Sequence, residues 1–84
     1  MHSNLEFYLG KACRKFRRGS LDVSVEELLT KAKIAASNSA ISNFESGKMK
    51  TSKYLPIYAS YDHQKNDVLR KYLNEAIDEY LASY

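Results

Sequence analysis

The chain has 84 residues, a formal net charge of +3 and 44% hydrophobic residues. That bounds it to one domain, excludes a disordered composition, and leaves one small core with little room for an enclosed catalytic pocket. The single cysteine, Cys13, excludes an internal disulfide framework and a cysteine-rich zinc site, and no stretch approaches the ~20 apolar residues of a membrane span.

The first residues show no basic cluster followed by an apolar run, so no secretory leader is expected, and one reduced thiol fits a cytoplasmic protein. Charge is unevenly spread. Residues 1–53 carry ten Lys/Arg against five Asp/Glu, and residues 54–84 carry three against five. A basic front and a mildly acidic back suggest one surface for a polyanion and another for something else.

Ser3 and Glu6 have the spacing of a capping box and predict a helix start. Leu5, Tyr8, Leu9, Ala12, Cys13 and Phe16 follow helical spacing, with Lys11, Arg14, Lys15, Arg17 and Arg18 on the other side. Gly19 is the expected left-handed terminator. Ser24 and Glu27 form a second capping box, and Leu28, Leu29 and Ala32 form the buried face of helix two. A turn at 34–36 leads to Ser37, the expected N-cap of a short third helix from Asn38 to about Ser46. There Ala40, Ile41 and Phe44 point inward and Gly47 ends the helix.

Thr51 or Ser52 is expected to cap a fourth helix over about 53–60, with Pro56 in or just past its first turn. Tyr54, Tyr58 and Tyr61 read as core. Helix five is predicted over 66–82. Its apolar positions are Val68, Leu69, Tyr72, Leu73, Ala76, Ile77, Tyr80, Leu81 and Tyr84, and Asp67–Lys71 and Lys71–Glu75 are expected as i,i+4 pairs. No strand pattern, internal repeat or low-complexity segment is present. The fold class expected is all-α, five helices in a single domain over 1–84, with a helix-turn-helix core over 1–61 and a C-terminal amphipathic helix over 62–84.

Two short helices joined by a turn, the second exposing small polar groups, have helix-turn-helix geometry. Asn can pair with adenine through two hydrogen bonds and Ser can donate or accept, which suits a helix lying in the major groove. The stretches "LGKACRKFRR", "SVEELL", "AISNFESGK" and "YLP" followed by "AS" occur in that order. Together, over about residues 9 to 61, they resemble the Cro/repressor-type helix-turn-helix proteins of phages and bacterial regulators. Where that family often has Gln at the start of helix two, this chain has Val25 or Glu26, and the turn carries Ala35 and Ala36 in place of glycine.

The resemblance implies a role for each matching position. Ser37 would cap the recognition helix near a phosphate, and Asn38, Ser39, Ser42 and Asn43 would face the bases. Lys48 and Lys50 would meet the backbone. Arg17 would pair with Glu45, tying helix one to helix three. The function expected is therefore a double-stranded DNA-binding transcriptional regulator, a small phage or mobile-element repressor.

Helix five has more apolar positions than one small core can cover, so a homodimer is expected through Ile77, Tyr80, Leu81 and Tyr84, with a further protein partner open on the same helix. The alternative is a protein-interaction module on the same fold, such as an antirepressor, an antitoxin or a repressor-binding partner, with little or no DNA binding. No catalytic residue, metal site or cofactor is expected, since His2 and His63 stand alone and Cys13 lies on an apolar face.

Overall fold

A computed structural model describes residues 4–32, 36–49 and 51–84. Five α-helices and no strand occur among them: α1 (Leu5–Lys15), α2 (Val25–Ala32), α3 (Asn38–Glu45), α4 (Thr51–Tyr61) and α5 (Asn66–Ala82). The expected cap Ser3, the turn residues Ile34 and Ala35, and Lys50 lie outside the described residues. The Cα radius of gyration is 12.1 Å, against about 12 Å for a compact chain of this length, so α5 lies along the body.

Asn4 caps α1, its side chain accepting from the Glu6 N–H at 2.8 Å. Gly19 does not end the helix. The chain continues as a π-helical segment, Phe16–Leu21, and the left-handed residue is Asp22 at φ 54°. An i→i+5 ladder stacks residues five apart, so Phe16 and Leu21 point the same way. Phe16, Arg17 and Leu21 are all buried, a set that an unbroken α-helix would splay around its axis. Core demand at these positions outweighs the terminator signal of Gly19.

The Ser24–Glu27 capping box forms reciprocally at the start of α2, with N–H···O distances of 3.1 and 3.2 Å. Leu28 is fully buried, and Leu29 and Ala32 pack on the core. Ser37 caps α3, accepting from the Ala40 N–H at 3.0 Å. The helix ends as a Schellman motif: the Gly47 N–H donates to Phe44 and the Lys48 N–H to Asn43, with Gly47 at φ 80°.

α4 begins at Thr51, so the two residues expected to cap it sit in its first turn, and Pro56 falls inside the helix with its ring exposed. A 3₁₀ turn at His63–Lys65, capped by the Asp62 side chain, leads into α5. Lys65 Nζ donates to the Ser20 carbonyl at 2.6 Å, tying this turn to the π segment.

The core gathers Cys13, Phe16, Leu28, Ile41, Phe44, Ile57 and Tyr58, with Leu21, Tyr54 and Leu69 at its edge. Tyr54 and Tyr58 are buried, whereas Tyr61 is half-buried beneath Lys31, whose Nζ stands 4.4 Å from the ring centroid. α5 packs chiefly along α1 and its π extension rather than on α4. Tyr80 meets Tyr8 edge-on at 6.1 Å, and Tyr72 meets Phe16 at 6.3 Å. On the wet side of α5, Asp67 sits 3.8 Å from Arg70, three residues on, and neither expected pair with Lys71 closes within the 4 Å of an ion pair.

Two glycines allow α1 to press on the end of α3. A Cβ on Gly10 would run into the Phe44 carbonyl oxygen, and one on Gly47 would come within 2.5 Å of Phe7 Cα. Gly10→Ala is therefore expected to destabilise the fold despite alanine's higher helix propensity, because overpacking costs about 1–3 kcal/mol. Gly19→Ala meets only the end of the Tyr72 side chain, at 3.3 Å, and is expected to be nearly neutral. Thermal melts check this contrast, and equal melting of the two variants would show that α1 and α3 do not cross this closely.

Candidate functional site

α3 has eight residues and two faces. Ile41 and Phe44 are fully buried, which turns one face toward α1 and α2. Asn38, Ser39, Ser42 and Asn43 form an exposed stripe along the other, joined by Ser46, which is not among the site residues expected from the sequence. The side chains of Asn38, Ser39, Ser42 and Asn43 make no hydrogen bond to other described residues. Ser46 instead donates its hydroxyl to the Ser42 carbonyl at 2.8 Å. Ser37 is exposed and occupied by its capping bond.

Lys48 follows the helix end and is exposed. It borders an open groove shared with Leu5, Met49 and Tyr80, so the loop after α3 lies beside the last turns of α5. Of the proposed phosphate-facing residues, Ser37 and Lys48 thus flank the stripe at opposite ends of α3.

The carboxylate of α3 belongs to neither face of solvent. Glu45 is buried and paired with buried Arg17: the Arg17 Nε and Nη2 donate to the two carboxylate oxygens, each at 2.9 Å. Arg17 Nη1 donates to the Val23 carbonyl at 2.9 Å, and the Tyr58 hydroxyl donates to Glu45 at 2.7 Å. Four charge-assisted bonds therefore join the π segment, the strand of chain before α2, α3 and α4.

The hydrogen bond to Glu45 raises the Arg17 pKa despite burial. Burial first, and then the Glu45 contact, push Tyr58 upward, so it stays a donor. Burial and the nearby Glu45 charge push the Cys13 thiol up to about 12, which leaves it a small core residue and no nucleophile. The resemblance supplied the Arg17–Glu45 pair. Helical spacing places Tyr58 in the core without naming a partner, although a tyrosine hydroxyl in an otherwise apolar turn signals that a buried partner is needed.

α5 leaves Ile77 and Leu81 exposed, at 41% and 61%, and Tyr84 just past its end is exposed at 81%. Tyr80 is different: it is half-buried against Tyr8, and its hydroxyl lies 3.0 Å from that of Tyr84. No group of His, Cys, Asp or Glu among the described residues is placed to hold a metal ion, and none of their helices is long and apolar enough to cross a membrane. Comparison with family models, characterised proteins and solved structures finds no match.

The buried network carries a direct expectation. Glu45→Ala leaves the Arg17 guanidinium buried without its carboxylate, a loss of about 3 kcal/mol or more. For a chain of this size that lowers the melting midpoint by more than about 10 °C. Tyr58→Phe removes one donor from a carboxylate that keeps two, and is expected to cost less, about 1–2 kcal/mol. Thermal denaturation of both variants checks the order, and a melting midpoint unchanged in Glu45→Ala would show that the pair ties nothing together.

Proposed function

We propose that this protein binds double-stranded DNA sequence-specifically through the exposed face of α3 and acts as a small transcriptional regulator of Cro/repressor type in the cytoplasm. The observation that carries this reading is the placement of Glu45. The only carboxylate of α3 is turned inward and neutralised, so the outward stripe of Asn38, Ser39, Ser42 and Asn43 offers uncharged donors and acceptors with no anion to repel a phosphate backbone. α3 has no arginine, so base recognition falls to Asn38 and Asn43, with Ser39 and Ser42 as shorter-range partners. Lys48, and Lys50 beyond the described residues, supply phosphate contacts.

A base contact and a phosphate contact fail differently. A good base contact discriminates by about 1–3 kcal/mol, so Asn43→Ala is expected to narrow the gap between selected and random duplex. Lys48→Ala is expected to weaken both alike and to reduce the salt slope by about one unit. Selection of bound duplexes from a random pool, followed by titrations at stated salt, measures both effects. A wild-type chain with no preference for any duplex would sink this reading.

In the same proposal the chain works as a homodimer through Ile77, Leu81 and Tyr84, with Tyr80 shared between the dimer contact and its packing on Tyr8. Because the groove beside Tyr80 also contains Lys48, a partner at the end of α5 would sit next to the loop that meets phosphate. Two recognition helices could then meet half-sites about 34 Å apart. Leu81→Asp is expected to shift sedimentation from dimer to monomer without unfolding the chain, since Leu81 is exposed. A Leu81→Asp chain that stays dimeric would place the contact elsewhere.

A further inference from the structure

α1 presents a second charged surface that the DNA reading does not use. Lys11, Arg14, Lys15 and Arg18 are all exposed, at the i, i+3, i+4, i+7 spacing of one helix stripe. The stripe is offset from Gly10, Cys13 and Arg17, the residues α1 turns toward the core and α3. Among the described residues no carboxylate lies within 4 Å of any of the four. Like charges at these spacings weaken a helix, and the helix's only acid, Glu6, lies at the far end. Acids border the stripe at its edges, Glu75 and Glu79 beside Lys11 and Lys15 and Asp22 and Glu27 beside Arg18, but none closes an ion pair with it, and four cations left unpaired on one face fit an anionic partner.

The surface is a shallow, open groove. The four cations, Gly19 and Tyr72 line an open volume of about 530 Å³ between α1 and α5. The Tyr72 ring and the alkyl stems of the Lys and Arg residues give it an apolar floor under a cationic rim. Next to it, Glu75 and Glu79 of α5 line a cleft with Lys11 and Lys15. These carboxylates would repel a phosphate backbone continuing along the groove. A peptide can place its acids toward Arg14 and Arg18 and its apolar side chains on Tyr72.

We propose that the α1 stripe and Tyr72 form a docking groove for an acidic amphipathic segment of a partner protein. The groove is separate from the α3 face and does not depend on what α3 binds.

The probe is a labelled helical peptide with Glu on one face and Leu on the other, followed by fluorescence anisotropy at low and moderate salt. The wild-type chain is expected to bind it, more weakly as salt rises. The double variant Arg14→Glu, Arg18→Glu is expected to lose about tenfold or more in affinity, with its fold checked by circular dichroism. Lys48→Ala is expected to bind as the wild type does. A peptide with Ser in place of Leu is expected to bind markedly less well, and amide shifts are expected at residues 11–19 and at Tyr72.

Absence of peptide binding, or equal binding by the double variant, overturns the proposal. So does equal binding of the Ser peptide, which would reduce the groove to bare charge. A double variant that loses affinity for a random duplex while keeping its affinity for the peptide would make the stripe a phosphate surface instead.

Discussion

The orientation of α3 depends on a charge buried in the core. Eight residues with two large apolar anchors, Ile41 and Phe44, make a weak rotational constraint, because a helix this short can roll on two contacts. Glu45 adds a third anchor with strict geometry. Its two oxygens meet the two nitrogens of the Arg17 fork, and the Tyr58 hydroxyl fills a further acceptor site. A buried ion pair contributes little net stability against an apolar replacement, since desolvation offsets most of the attraction. Its effect here is on specification: one rotation of α3 satisfies all the donors, and that rotation sends Asn38, Ser39, Ser42 and Asn43 to the surface.

Helix one is built around the same demand. Gly10 and Arg17 are seven residues apart, two α-helical turns, so both reach α3. Gly10 lets the backbone at Phe44 approach, and Arg17 then closes on the next residue, Glu45. The π segment that begins at Phe16 keeps Phe16, Arg17 and Leu21 inward together. It also brings the Val23 carbonyl to Arg17 Nη1. Backbone irregularity, close glycine contact and buried charge thus sit within a few residues of one another and serve one junction.

What was legible in the sequence was local. Ser24 with Glu27, Ser37 before Asn38, and Gly47 after the last turn of α3 are signals set by residues within a few positions of each other, and the helices formed where those signals stand. Arg17 and Glu45 are 28 residues apart, and no spacing rule joins them; the family resemblance did. The failures share a cause. Gly19 carries the local chemistry of a helix end, yet Phe16 and Leu21 pull the helix past it into the core, and Thr51 and Ser52 carry the chemistry of a cap, yet α4 takes them into its first turn. Tyr58 reads as apolar from its spacing, and the position of its hydroxyl only acquires meaning once α3 and α4 are packed. The exposed stripe of α3 was legible as small polar residues, but polarity alone does not name what they touch.

The apolar excess of α5 follows from width, not from overhang. The contacts Tyr8–Tyr80 and Phe16–Tyr72 show α5 descending by eight residues as α1 rises by eight, an antiparallel match without slip. Leu69 and Ala76 are buried along that line, with Tyr72 and Tyr80 half-covered. Ile77 and Leu81 follow helical spacing one step around the cylinder, where α1 does not reach and α4 hardly contributes, and Tyr84 follows just past the helix end. An uncovered strip of this kind runs parallel to the helix axis, so the shape it suits is another helix laid alongside. The strip occupies the last turns of α5, so the proposed pairing of two copies lays these ends side by side. That pairing also leaves the α1 groove, on the opposite flank of α5, open to a different partner at the same time.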